Sequence, residues 1–121
     1  MSPDRTSKKI ALISNSAIGL LNFRKELIRQ LIRQNFDVLV FAPNYDEKIA
    51  KDIYNLGAKP VHYSLSRAGA NIIEELISIV SIAEFMRREK PDILFCFQIK
   101  PAIYGSISAI VNRINKVFIM I

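Results

Sequence analysis

Lys9-Ile-Ala-Leu-Ile-Ser14-Asn-Ser-Ala-Ile-Gly19 is the stretch that decides the fold. Its first residues form an apolar run without polar alternation, the mark of a strand buried on both faces in a helix-covered parallel sheet. The Ser-Asn-Ser cluster and Gly19 then turn the chain out of the strand. From Leu20 to Gln34 the apolar Leu21, Phe23, Leu27, Ile28, Leu31 and Ile32 recur at three and four, with Arg24, Lys25, Arg29, Gln30 and Arg33 between them. That is an amphipathic, basic helix, and Asn22 reads as its cap.

Working outward, Asn35-Phe36 leads into a second strand, Asp37 to Ala42, closed by Pro43-Asn44. Asp46 to Leu56 has helical spacing through Ile49, Ile53 and Leu56 and stops at Gly57. Pro60 to Leu65 reads as a third strand, Ser66 to Ala70 as a loop, and Asn71 with Glu74 as the capping box of a helix running to about Lys90. Pro91 blocks that helix, Asp92 to Phe97 is a fourth strand, Pro101 can open a helix to about Asn112, and Val117 to Ile121 begins a fifth strand. Strands alternating with helices across short loops imply right-handed crossovers. The expected fold is therefore α/β, a Rossmann-like doubly wound parallel sheet of about five strands in the order 3-2-1-4-5, with helices on both faces. Residues 1–8 form a polar lead and 9–121 a single domain.

The length of 121 residues and an apolar fraction of one half suit one packed domain. Seventeen Lys and Arg against eleven Asp and Glu leave a net charge of +6, a surface that favours anions such as phosphates, nucleotide sugars or acidic lipid headgroups. Nucleic acid is disfavoured, since neither an RNP-like motif nor zinc-ligand spacing accompanies the charge. One Cys and one His exclude an intramolecular disulfide and any Cys/His metal cluster, so no metal is expected and a reducing, cytoplasmic setting fits. The N-terminus lacks the apolar core of a signal peptide, and no apolar stretch reaches the roughly 18 residues of a membrane span.

In a doubly wound sheet the switch point lies between the first and fourth strands, which sets the loops 14–22 and 97–104 face to face. The first offers Ser14, Asn15, Ser16 and Gly19 leading into a helix N-terminus, an arrangement suited to a phosphate or a sugar hydroxyl. The second offers Gln98, Lys100 and Tyr104. Ser, Asn and Gly are also ordinary turn residues, and Lys100 also reads as a solvated loop charge. Neither a G-x-G-x-x-G fingerprint nor a G-x-x-x-x-G-K-[ST] loop is present, which disfavours NAD chemistry and nucleotide hydrolysis of those types. Arg24, in the first turn of a helix, opposes the dipole unless an anion or a carboxylate such as Asp46 or Glu47 stands nearby. His62 reads as a core or edge residue, Cys96 as a small buried hydrophobe, and Glu74 and Glu75 as acids complementing a helix dipole. No carboxylate pair stands out, so no catalytic residue is assigned. The basic first helix and the wide apolar face of the 71–90 helix could together touch an anionic membrane surface.

Several segments follow one further pattern: Ser14-Asn-Ser-Ala-Ile-Gly-Leu-Leu-Asn22-Phe23-Arg24, Phe41-Ala42-Pro43, Leu56-Gly57-Ala58, Ser66-Arg67, Lys90-Pro91-Asp92-Ile93, and Ile99-Lys100-Pro101-Ala-Ile-Tyr104-Gly105-Ser106. Over nearly the whole chain they resemble the N-terminal, acceptor-side domain of bacterial family 4-like glycosyltransferases. The resemblance implies half of a GT-B fold, in which two Rossmann-like domains face each other across a cleft. The N-terminal domain chiefly holds the acceptor and the C-terminal one the nucleotide-sugar donor. It implies metal-independent, retaining transfer of a sugar to a polyprenyl-diphosphate-linked or other glycan acceptor, in the synthesis of capsule, O-antigen (lipopolysaccharide) or other surface polysaccharide. No cofactor beyond the donor is implied, and the location would be cytoplasmic or peripheral at the inner face of the cytoplasmic membrane. Asn15, Ser16, Gly19, Arg24, Gln98, Lys100 and Tyr104 would bind the acceptor or its phosphates.

Two departures shape the expectation. Phe95-Cys96-Phe97-Gln98 stands where many relatives carry a histidine-containing segment after the fourth strand. The donor domain with its acidic motif is absent, so the chain is expected to be inactive alone and to pair with a donor-domain chain or belong to a longer parent. The alternative is a non-catalytic membrane-surface scaffold that recruits a separate transferase chain through the C-terminal strand and the basic helix. A small flavin- or nucleotide-binding module is a third reading, disfavoured by the glycine-poor loop.

Overall fold

The computed structural model describes residues 8–63 and 71–120. Five parallel strands, β1 (Lys9–Ile13), β2 (Asp37–Ala42), β3 (Lys59–His62), β4 (Ile93–Phe97) and β5 (Val117–Met120), form one sheet in the order β3-β2-β1-β4-β5. β1 lies at the centre, with Ile13 paired to Phe41 on one side and Cys96 on the other. The helices are α1 (Ala17–Phe23), α2 (Lys25–Arg33), α3 (Glu47–Leu56), α4 (Ile72–Glu89) and α5 (Ile99–Val111).

Alternation along β1 sorts the interior into two cores, as a strand buried on both faces must. Ile10 and Leu12 join Leu20, Leu21, Ile28, Val40 and Ile53 beneath α1, α2 and α3. Ala11 and Ile13 join Phe41, Ile82, Met86, Leu94 and Cys96 beneath α4 and α5. Each fully buried aliphatic side chain contributes about 1.5–3 kcal/mol, so the sheet is stabilised from both sides. On the second face, α5 approaches β4 so closely that a Cβ on Gly105 would lie 2.6 Å from Cys96 Sγ. Glycine is required there by space.

The single helix expected from Leu20 to Gln34 is two. Ser16, not Asn22, caps the first: its extended backbone (φ −149°) lets the hydroxyl accept from Gly19 N at 3.0 Å. The chain breaks at Arg24 (φ −124°, ψ 16°), whose N–H closes α1 on the Leu20 carbonyl while its own carbonyl accepts from Ile28 N. Apolar spacing ran through this break because both helices pack against the same side of the sheet. The third strand begins at Lys59 and ends at His62, short of Leu65; Ser64, Leu65 and the expected loop 66–70 lie outside the described residues. α5 starts at Ile99 rather than Pro101, which fits, because the first four N–H groups of a helix have no intrahelical partner and proline there loses nothing. Asn71 caps α4 through Glu74 N, and Lys90 ends it in the left-handed region (φ 52°) just before Pro91.

Candidate functional site

At the carboxyl ends of β1 and β4 a cleft of about 280 Å³ is lined by Ser14, Gly19, Leu20, Phe23, Arg24, Phe97 and Gln98. It opens where the strand order reverses, the position in a doubly wound sheet where ligands bind.

Ser14 is the hub of its floor. The buried Tyr63 hydroxyl donates to the Ser14 carbonyl at 2.7 Å, and Ser14 N donates to the Phe41 carbonyl, which together fix the exit from β1. Its hydroxyl receives Ser16 N (3.1 Å) and lies 3.2 Å from Gln98 Oε1. Gln98 Oε1 also accepts from Asn15 N at 3.1 Å, so one side-chain amide joins the two loops across the crevice. To reach it, Gln98 adopts φ 74° and ψ 166°, a conformation costing a non-glycine residue about 1–3 kcal/mol. Strain of that size is retained only where surrounding bonds hold it, here the two to the β1 loop and one from its own N–H to the Met120 carbonyl.

Arg24 stands at the junction of α1 and α2, so the carboxyl end of one helix offsets the amino end of the next and the expected conflict with a helix dipole is relieved. The carboxylates of Asp46 and Glu47 are not its partners. Its guanidinium lies over the Phe97 ring, 5.2 Å from the centroid, and Nη2 points to Met120 Sδ at 3.1 Å. Phe23 beside it is 82 % exposed at the cleft wall. An aromatic face, a stacked cation and the primary-amide end of Gln98 thus share one opening, a set able to meet a sugar ring, an anionic group and a hydroxyl.

Of the residues singled out from sequence, Gly19, Arg24 and Gln98 line the cleft, whereas Asn15 and Ser16 do not line it and serve the loop instead, Asn15 N donating to Gln98 and Ser16 Oγ capping α1. Two donors of the α1 amino end are taken within the chain, Ala17 N by Asn44 Oδ1 (2.9 Å) and Gly19 N by Ser16 Oγ, leaving recognition to side chains. Lys100 and Tyr104 sit elsewhere. Lys100 Nζ is 3.5 Å from Glu75, and the Tyr104 hydroxyl donates to the same carboxylate, joining α5 to α4. Phe23 and Phe97 were absorbed by the apolar spacing of a helix and a strand; the aromatic next to a cation in Phe23-Arg24 was the signal available. His62 is exposed on the edge strand β3, and Cys96 is fully buried, its thiol pushed up to about 12 by burial. Among the described residues no group of three or more His, Cys, Asp or Glu could hold a metal, and no helix is long and apolar enough to cross a membrane.

A family model described as glycosyl transferase 4-like matches residues 9–121. Among solved structures, MurG of Acinetobacter baumannii superposes with a TM-score of 0.70 at 18 % identity, over 93 % of this chain and 34 % of that one. The lipopolysaccharide outer core galactosyltransferase WaaB gives 0.64 at 15 % identity, over 92 % of this chain and 32 % of that one. A UDP-GlcNAc 2-epimerase of Neisseria meningitidis gives 0.66 at 11 % identity, over 93 % and 32 %. The chain spans about a third of the length of these proteins. A search of curated protein sequences finds no match.

Proposed function

The chain belongs to the glycosyl transferase 4-like family, and from that membership we propose that it is the acceptor-binding half of a glycosyltransferase. Its fold is half of a GT-B architecture. The observation that carries the reading is the cleft at the switch point, where Phe23, Arg24 and Gln98 converge.

The acceptor we propose is a sugar carried on a diphosphate-linked lipid, of the kind used in surface polysaccharide synthesis. Phe23 offers a flat apolar face against which a sugar ring can lie. The Gln98 oxygen is held by the β1 loop, and its amide N–H donors would serve the acceptor's hydroxyls. Arg24, already desolvated on one side by Phe97, supplies a planar donor fork for a phosphate, a pairing stronger than that of an exposed lysine. Net charge of +6 draws such an anion toward the surface.

Transfer requires an acceptor hydroxyl to attack the anomeric carbon of a donor as the nucleoside diphosphate leaves. These residues position the hydroxyl; the donor is held by a second half, in the same polypeptide or another. The donor itself is a substrate, and no cofactor or metal enters this reading.

The test is an NMR titration of the ¹⁵N-labelled chain with a short-chain, water-soluble polyprenyl-diphosphate sugar. Amides of Gly19, Phe23 and Gln98 are expected to shift, and Arg24→Ala to weaken binding about tenfold. Shifts confined to the opposite end of the sheet, around Arg87 and Arg113, would refute the assignment.

A further inference from the structure

We propose that Met120 is a positioning residue of the candidate site: its thioether aims the Arg24 guanidinium at a phosphate without neutralising it. The identity of that ligand rests on the glycosyl-transfer reading; the contact that aims Arg24 does not. Met120 stands outside the cleft lining and acts through Arg24 and Gln98.

The contact follows from strand register. β5 lies at the end of the sheet beside β4, with Met120 paired to Phe97. Residues paired across two strands present their side chains to the same face, so the sulfur and the Phe97 ring share the face that carries α1 and α2. A slip of one residue would turn the sulfur to the opposite face. Arg24 reaches both groups: its Nη2 is 3.1 Å from Met120 Sδ, and its Cζ is 5.2 Å from the Phe97 centroid. The ring is itself held, stacked on Phe95 at 4.8 Å with 10° between the planes.

A guanidinium that is to receive an anion needs a fixed direction and an undiminished charge. A carboxylate partner supplies the first and cancels the second. A ring face and a thioether both attract a cation, through the ring quadrupole and the sulfur lone pairs, and neither carries net charge. None of the ion pairs among the described residues includes Arg24. With one Nη2 N–H turned to sulfur, a weak acceptor, the rest of the fork is left for phosphate oxygens. The main chain of the same residue holds the other recognition group, since Gln98 N donates to the Met120 carbonyl at 3.1 Å. A substitution at position 120 removes the sulfur and leaves that backbone bond, so the two roles separate.

Met120→Leu tests the proposal, because it conserves volume and loses the acceptor. In NMR spectra of the ¹⁵N-labelled chain without ligand, the Arg24 Nε–H resonance is expected to be displaced by the Phe97 ring. In Met120→Leu it should move toward the position of a free arginine. Titration with the water-soluble polyprenyl-diphosphate sugar should show affinity reduced about threefold to tenfold. In an Arg24→Ala background the same substitution should change affinity no further, since the cation it aims is gone. An Arg24 resonance and an affinity both unchanged in Met120→Leu overturn the proposal. An equal loss in the Arg24→Ala background also overturns it, because the sulfur would then act on the fold rather than on the cation. If the wild-type chain binds no diphosphate sugar, the acceptor reading fails, and the Arg24 resonance still decides whether Met120 aims it.

Discussion

Gln98 separates two effects that usually come together. Gln98→Ala loses the bridge to Ser14 and Asn15 but keeps a side chain at positive φ, so a loss of about 1 kcal/mol is expected in urea unfolding. Gln98→Gly loses the same bridge and also the strain, so its stability should stay within about 1 kcal/mol of wild type. Both should bind the acceptor analogue more weakly, which would show the amide to act on ligand and loop rather than on overall stability. Cys96 makes a separate prediction. Below about pH 9 its thiol is protonated in folded and unfolded chains alike; above it the unfolded chain releases the proton while the folded one retains it to about 12. Stability therefore falls as pH rises through that window, by at most about 1.4 kcal/mol per unit. The buried Tyr63 and the partly buried Tyr45, both raised chiefly by desolvation, add to the decline above about pH 10. The urea midpoint should drop from about pH 9, less steeply in Cys96→Ala, and Cys96 should ignore thiol reagents until the protein unfolds. The burial of Cys96 was legible from Leu94-Phe95-Cys96-Phe97; the strained backbone of Gln98 was not, because nothing in the identity of a glutamine announces positive φ.

The packing of α5 on β4 depends on a missing methyl group. Gly105→Ala brings a Cβ within 2.6 Å of Cys96 Sγ, and overpacking of this kind costs about 1–3 kcal/mol, against which the better helix propensity of alanine returns about 1. A net loss is expected by thermal unfolding. It should shrink in the Gly105→Ala, Cys96→Ala double variant, since the sulfur that is struck is gone. At the start of the chain, Ser16→Ala should cost about 1 kcal/mol by uncapping α1. Four of the strands were legible as apolar runs and the third, Lys59–His62, only as an alternating stretch placed too far along the chain, while the helix stops at Gly57 and Pro91 were legible as backbone chemistry. The break at Arg24 was hidden because α1 and α2 continue one apolar stripe, so periodicity alone has no reason to divide them. What could have divided them is Ser16, a better cap than Asn22 once the helix is allowed to begin directly after the turn cluster.

For the molecule as a whole, strand order followed from crossover handedness, and the cleft followed from strand order. That is why the loops 14–22 and 97–104 could be placed opposite one another before any side chain was located. The placement of Lys100 and Tyr104 beside Glu75 could not be foreseen in the same way, because a helical turn decides whether a residue just past a strand faces the crevice or a neighbouring helix. Protection in the sheet should be graded: amides of the central β1 and β2 are expected to exchange slowest, and those of β5, which pairs with β4 alone and has Phe118, Ile119 and Met120 half exposed, fastest. Hydrogen exchange read by mass spectrometry checks the order. The Gln98 bridge has a consequence in time as well as in space. It joins residues 84 apart, so the crevice cannot exist in a nascent chain until β4 has emerged and inserted beside β1. Closing so long a loop is slow relative to helix formation. Acceptor affinity should therefore lag behind the recovery of helical signal during refolding, making the ligand itself a reporter of the last step in assembling the sheet.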